Sequence, residues 1–168
     1  MDHTLRILKD ALIDHNVLNT AQVQTYSKEA EKSAVLFKDY LLQNHIITER
    51  QLLICLSQSQ KIEIVELKKL EIDAALIQKV PVKIAYYYKF IPIKIEKDVI
   101  TVASAIPSEV KLQDEIRVYL GLDVKVVLAL QSEVLDAFKR YYGFASDTIE
   151  RIMEKESYKQ DFIAQSDH

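Results

Sequence analysis

The sequence predicts an α+β fold, in which an amino-terminal layer of two tandem helix pairs (four helices) precedes an αββαβα module with a three-stranded sheet. Two observations predict it. One apolar pattern occurs twice before about residue 60, at an offset of 29 positions. Beyond it, helical spacing gives way to short alternating segments bounded by turn residues. We expect residues 1–60 to form the helical repeat, 61–69 a connector, 70–143 the sheet module and 144–168 a charged helix or linker tail.

Each copy of the repeat predicts two helices joined by a short turn. Residues 7–13 reappear as residues 36–42, with Lys-Asp at the same place in both copies and every apolar position kept. Asn19 and Thr48 stand before the second helix of each copy, and each is followed three residues later by glutamine. This spacing is typical of a helix cap, so both turns are expected to end there.

The second module is predicted from turn residues and alternation. Its expected elements are, in order, helices 73–79 and 82–88, strands 90–95 and 99–103, a helix from residue 108 to 120, a strand 123–130 and a helix 133–142. Pro81 opens the second helix, and residues 96–98 make the turn of a hairpin. Pro92 requires an outer or bulged strand position. Ser132 is expected to cap the last helix.

Composition excludes several classes of function. Only two glycines occur, and neither phosphate-binding pattern, G-x-x-x-x-G-K-[ST] or G-x-G-x-x-G, is present in these residues. The histidines and Cys55 have no metal-ligand spacing, so we expect no metal, no cofactor and no enzymatic activity. No apolar run approaches the roughly 20 residues that cross a bilayer, and a lone cysteine agrees with a reducing compartment. These features predict a cytosolic protein without direct membrane insertion.

One stretch combines lysines with aromatic residues. Residues 79–97 contain five lysines and one glutamate, and residues 86–88 are three consecutive tyrosines. Three consecutive helical residues cannot share one face, so at least one tyrosine should be accessible. The candidate partner-binding residues are Lys83, Tyr86, Tyr87, Tyr88, Lys89 and Phe90. Nucleic acid is the weaker alternative, because the chain carries a net charge of −3 and no nucleic-acid motif accompanies the lysines.

These motifs resemble the amino-terminal region of the assembly ATPases of type II secretion and type IV pili, the E-type or PilB-type family, with its MshE-like amino-terminal domain. The family has a tandem motif of the spacing seen here, followed by a sheet module. The resemblance covers residues 4–143. It is carried by Pro81, Phe90-Ile91-Pro92-Ile93, Ala103-Ser104-Ala105-Ile106-Pro107, Gly121-Leu122-Asp123-Val124 and Tyr142-Gly143.

In some members of that family the tandem motif binds cyclic di-GMP through Arg-Leu-Gly, a glycine before the turn and a glutamine near the end of the second helix. The resemblance places Ile7, Leu8, Lys9, Asn16 and Ala30 at these positions in the first copy, and Leu36, Phe37, Lys38, His45 and Ser59 in the second. Neither copy has the arginine, the glycines or the glutamine. A lysine in place of glycine obstructs close backbone approach, so we expect the fold to be kept and the nucleotide site to be lost.

The resemblance also implies a function. Family members carry an ATPase domain with Walker motifs after this region, and the sheet module binds the cytoplasmic domain of an inner-membrane platform protein. The sequence is therefore interpreted as a non-catalytic docking and regulatory domain of a secretion or pilus ATPase, recruited to the inner-membrane face, either as a fragment or as a stand-alone protein. The alternative is a cyclic di-GMP receptor domain with a degenerate motif.

Overall fold

The computed structural model describes residues 3–107 and 110–143 of the chain. In order, the elements are α1 (His3–Asp14), α2 (Thr20–Lys32), α3 (Phe37–Gln43), α4 (Glu49–Gln60), a 3₁₀ turn (Leu67–Lys69), α5 (Ala74–Lys79), α6 (Val82–Tyr88), β1 (Phe90–Glu96), β2 (Val99–Ser104), α7 (Val110–Leu120), β3 (Asp123–Leu128) and α8 (Gln131–Tyr142). The expected start of α7 at residues 108–109 and the expected tail at 144–168 lie outside the described residues.

The two repeat copies have the same local geometry. Asn19 caps α2: its Oδ1 accepts from Gln22 N–H at 2.8 Å, and its own backbone N–H donates to Gln22 Oε1 at 2.9 Å. Thr48 and Gln51 form the same capping box at the start of α4, at 2.8 and 3.1 Å. Each box satisfies backbone N–H groups that the first turn of a helix leaves unpaired. The predicted caps are confirmed in both copies.

The sheet has the strand order β1-β2-β3. β1 and β2 are antiparallel, and β2 and β3 are parallel, with α7 as the crossover between them. Lys97 and Asp98 both have positive φ, so they form a two-residue hairpin turn of the kind that matches strand twist. The β1–β2 register shifts between Pro92 and Lys94, which confirms the bulge expected at the proline.

The connector is joined to the third strand. Leu128 N–H donates to Glu63 O and Val65 N–H donates to Leu128 O, both at 2.8 Å, which makes a short parallel bridge. Just beyond it, Leu67 is buried in the core of the sheet module and its N–H donates to Glu133 Oε2 of α8 at 2.9 Å. The connector therefore adds both backbone and side-chain contacts to the sheet module.

The two halves of the molecule also meet at the start of α8. Ser132 does not cap this helix as expected, because α8 begins at Gln131, two residues earlier than expected, with Leu130 at the cap position. The capping partner comes from α4 instead, because Glu49 accepts hydrogen bonds from Ser132 N–H at 2.6 Å and from Ser132 Oγ at 3.1 Å. A carboxylate at a helix N-terminus is favoured by the helix dipole. β3 likewise ends at Leu128, two residues earlier than expected, since Leu130 lies just before α8.

Replacement of Leu67 by alanine tests the contribution of the connector. The side chain is 5% exposed within the core of the sheet module, so its truncation should leave a cavity and lower the free energy of unfolding by about 2–5 kcal/mol. Lys68→Ala, at an exposed neighbouring position, is the matched control and should change the unfolding free energy by less than about 0.5 kcal/mol. Urea unfolding followed by circular dichroism measures both. Equal effects of the two substitutions would contradict a structural role for the connector.

Candidate functional site

The six candidate partner-binding residues differ in their exposure to solvent. Tyr86 is 5% exposed and packs edge-on against the ring of Phe138 on α8, with centroids 5.6 Å apart. Phe90 begins β1 and is fully buried. Tyr87, one residue along α6, is 51% exposed. Successive helical residues lie about 100° apart, so the burial of Tyr86 turns Tyr87 toward solvent.

The exposed tyrosine is held by its neighbours. The rings of Tyr87 and Tyr88 meet edge to face with centroids 4.8 Å apart, and Tyr88 is half-buried against the core of the sheet module. A partly restrained aromatic ring loses little rotamer entropy when a partner covers it. We call the accessible part of this region, Lys83, Tyr87, Tyr88 and Lys89, the α6 surface.

The α6 surface is basic. Lys83 and Lys89 are exposed, and the Lys89 Nζ lies 3.7 Å from the centroid of the Tyr86 ring. Lys89 ends α6 in the left-handed conformation, which turns the chain sharply into β1. No described carboxylate lies within ion-pair distance of Lys83, whereas Lys94, farther along β1, pairs with Glu96 at 3.7 Å. The arrangement combines an exposed aromatic ring with positive charge, which suits contact with an acidic protein face.

The second candidate site is formed by the turns of the repeat. Asn16 and His45, the residues at the expected glycine positions, have φ of 58° and 55°. In both copies the backbone of the following residue bonds back to the first helix, since Val17 N–H donates to Leu12 O and Ile46 N–H donates to Leu41 O, each at 2.9 Å. The left-handed turn is therefore kept in both copies, although neither residue is glycine.

Residues at the Arg-Leu-Gly positions of the two copies pack against one another. Leu8 and Phe37 are buried in the core of the helical layer, and the Lys9 Nζ lies 5.3 Å from the centroid of the Phe37 ring. This cation–π contact joins the first copy to the second. At the arginine positions of the motif Ile7 is half-buried and Leu36 is 54% exposed, so both positions carry aliphatic side chains.

Lys38 lies at the junction of the two halves. Burial lowers the pKa of its amine, and the charges of Asp39 and Glu49 act in the opposite direction. No described carboxylate is within ion-pair distance of it. Lys38 and Glu49 also line a cavity of about 10 Å³, roughly the space of one water molecule, beside Leu130. This space is too small for a nucleotide base.

The remaining motif positions do not form a polar pocket. Ala30 is buried on α2, and Ser59 is half-buried near the end of α4. Within the described ranges no three residues among His, Cys, Asp and Glu cluster as metal ligands. Searched over the same residues, the helices include none with the length and hydropathy to cross a bilayer.

Sequence reasoning did not identify two exposed apolar side chains on α7 or the role of Glu49. Tyr119 is 64% exposed and Val118 is 84% exposed on the outer side of α7. Val118 lies about 200° around the helix from the core residue Ile116, so helical spacing could have predicted its exposure. Tyr119 has the spacing of the buried face, three residues after Ile116 and seven after Leu112, so its exposure could not be predicted in this way. The capping role of Glu49 could not be found this way, because Glu49 and Ser132 are 83 residues apart.

Comparison with known proteins identifies a family and a curated relative. A family model described as the MshEN domain matches residues 60–148 of the chain. The type IV pilus assembly ATPase PilB of Myxococcus xanthus is 23% identical over 146 residues. These are 87% of this chain but 26% of PilB, so the chain spans about a quarter of the length of this relative.

Solved structures share the fold. The structure of MshE with cdg superimposes with a TM-score of 0.68 at 21% identity, covering 80% of this chain and 98% of that one. The amino-terminal domain of XpsE superimposes with a TM-score of 0.64 at 17% identity, covering 85% of this chain and 99% of that one. The predicted α+β fold, with its helical layer and three-stranded sheet, is confirmed.

The left-handed conformation of Asn16 and His45 predicts the effect of introducing glycine at these positions. His45→Gly should raise the free energy of unfolding by about 0.5–1 kcal/mol, because a side chain in the left-handed region costs about 1–2 kcal/mol and the glycine offsets part of that gain by its freedom in the unfolded chain. Asn16→Gly should gain less, since asparagine tolerates this conformation. His45→Val should destabilise. Chemical denaturation of the three variants measures the order, and a loss of stability in His45→Gly would contradict the assigned turn.

Proposed function

Because the chain belongs to the MshEN domain family, we propose that it is a non-catalytic docking and regulatory domain of a secretion or type IV pilus ATPase. The family membership confirms the resemblance seen in the sequence. The likeness to PilB, a type IV pilus assembly ATPase, and to the folds of MshE and the amino-terminal domain of XpsE supports the proposal. In our proposal the partner is the cytoplasmic domain of an inner-membrane platform protein. Docking recruits the ATPase to the inner-membrane face.

One observation supports the location of docking most strongly. Tyr87 is a large, half-exposed side chain on the same surface as Lys83, and no described carboxylate lies within ion-pair distance of that lysine. Exposed tyrosines flanked by basic groups are the residue type from which binding hot spots are made. In this proposal the ring of Tyr87 enters an apolar pocket of the partner, and Lys83 faces acidic residues around that pocket.

Replacement of Tyr87 by alanine tests the proposed docking. The variant should keep its unfolding temperature and bind an immobilised platform cytoplasmic domain about 30-fold more weakly, because a hot-spot truncation costs about 2 kcal/mol or more. Lys83→Ala should mainly slow association at low salt. Surface plasmon resonance measures both rates.

The chain offers a matched control for this experiment. Tyr119 is also exposed but lies on α7, so Tyr119→Ala removes a similar ring outside the α6 surface. It should bind as the unmodified protein does. Tyr86→Ala removes a buried ring and should lower stability. If Tyr87→Ala binds normally, or if Tyr119→Ala weakens binding equally, the docking surface is elsewhere.

A second candidate function is recognition of cyclic di-GMP, favoured by the likeness to the structure of MshE with cdg. The residues of this chain weigh against it. Lys9 and Lys38 carry side chains where glycine allows close backbone approach, and the Lys9 amine covers the Phe37 ring. Without the arginines, the motif positions also lack the planar guanidinium groups that pair with guanine or phosphate through two hydrogen bonds.

Titration with cyclic di-GMP distinguishes the two functions. We expect no saturable heat in calorimetry at tens of micromolar protein, because neither copy offers the arginine or the open glycine backbone. MshE is the positive control, since its structure is described with cdg. A dissociation constant below about 10 μM, equivalent to roughly −7 kcal/mol, would establish this chain as a receptor domain.

A further inference from the structure

The two edges of the sheet differ in what they offer to another chain. At the β1 edge, Pro92 has no N–H and the register shift between Pro92 and Lys94 interrupts the ladder. At the β3 edge only Leu128 is paired, through the short bridge to residues 63–65. Among the described residues, no strand lies beside the preceding part of β3. Within the described part of the chain, the sheet is thus protected at the β1 edge and open at most of the β3 edge.

Backbone directions on β3 follow from its known hydrogen bonds. Leu128 N–H and C=O both point away from β2, toward the connector. Ala129 N–H donates to Ser104 O at 3.0 Å and Asp123 N–H donates to Asp98 O at 3.0 Å, so the alternate residues point inward. Because the direction alternates along a strand, the N–H and C=O groups of Val124 and Val126 point outward. No described residue pairs with them.

The side chains of the open edge are complementary to themselves. An antiparallel copy with Val124 opposite Val124 is a hydrogen-bonded pair in which both residues direct their backbone groups outward. The same register sets Asp123 opposite Lys125 of the second copy, twice, and Leu122 opposite Val126. Opposite charges directly across a strand pair are stabilising, and like charges are destabilising.

The charged groups of Asp123 and Lys125 are accessible for this pairing. Asp123 and Lys125 are both exposed. Arg117 contacts Asp123 at 2.9 and 3.0 Å, but both contacts go to Oδ1, which leaves Oδ2 without a described partner. Lys125 has no described carboxylate within ion-pair distance. Strand addition at the edge therefore joins two groups that the single chain leaves available.

From these observations we propose that the open edge of β3 binds β3 of a second copy of this chain. The two strands run antiparallel with Val124 opposite Val124, and the two sheets continue into one six-stranded sheet. The contact involves only a few residues on each side, well below a standard interface, so it is weak between free domains. It becomes effective where copies are held close together, because a high local concentration substitutes for affinity.

Paired charge reversals test the proposed register. Lys125→Glu sets Asp123 opposite a glutamate, and Asp123→Lys sets a lysine opposite Lys125, so each variant should self-associate at least about tenfold more weakly than the unmodified protein. Asp123→Lys is combined with Arg117→Glu, which preserves an ion pair within the chain. A 1:1 mixture restores both opposite-charge pairs and should recover association. Lys94→Glu, the same charge change on β1, should have no effect.

Sedimentation equilibrium measures the association. Protein concentrations up to about 1 mM are needed, because so small a contact is weak. Amide hydrogen exchange gives an independent readout. With rising concentration, exchange of the outward amides of Val124 and Val126 should slow, while that of the inward amides of Asp123 and Lys125 should not change. The proposal is overturned if the unmodified protein stays monomeric, if Lys125→Glu associates normally, or if the mixture does not recover.

Discussion

The arrangement of the whole molecule depends on the end of β3. Leu128 is fully buried, and its side chain belongs to the core of the helical layer although its backbone continues the sheet. The same residue accepts and donates the two backbone bonds that hold the connector. One residue thereby links the strand, the connector and the repeat. The Glu49–Ser132 contact fixes the adjoining start of α8 from the side of the helical layer.

The helical repeat keeps its shape although its side chains at the motif positions differ from the Arg-Leu-Gly pattern, because the shape is set by backbone bonds and by core packing. The turns at Asn16 and His45 are set by backbone bonds to Leu12 and Leu41, which do not depend on the side chain at the turn. The apolar residues of both copies pack into one core that includes Leu128. Side chains on the outside of the layer are under no such constraint. Lys9, which is only partly buried and lies over the buried Phe37 ring, can therefore differ from the motif while the core beneath it is kept.

The parts of the structure that were predictable from sequence are those set by neighbours in the chain. The capping boxes of Asn19 and Thr48 and the bulge near Pro92 each depend on residues a few positions apart. The mistaken cap at Ser132 has the opposite cause, because its partner Glu49 is remote in sequence. For the same reason the accessible tyrosine could not be chosen: the face of α6 that is buried depends on Phe138 of α8. Local chemistry predicts elements, and packing decides which of their faces remain available.

The two proposed surfaces lie on different sides of the sheet module. α6 leads into β1 and packs against it, whereas the open edge belongs to β3, and β2 separates the two strands. Pairing through β3 therefore leaves Tyr87 accessible in both copies. A pair of domains would present two docking surfaces related by a two-fold axis, and a second binding event on the same membrane would follow the first at high effective concentration. Two weak contacts of different kinds, one through side chains and one through backbone, can in this way support a single stable attachment.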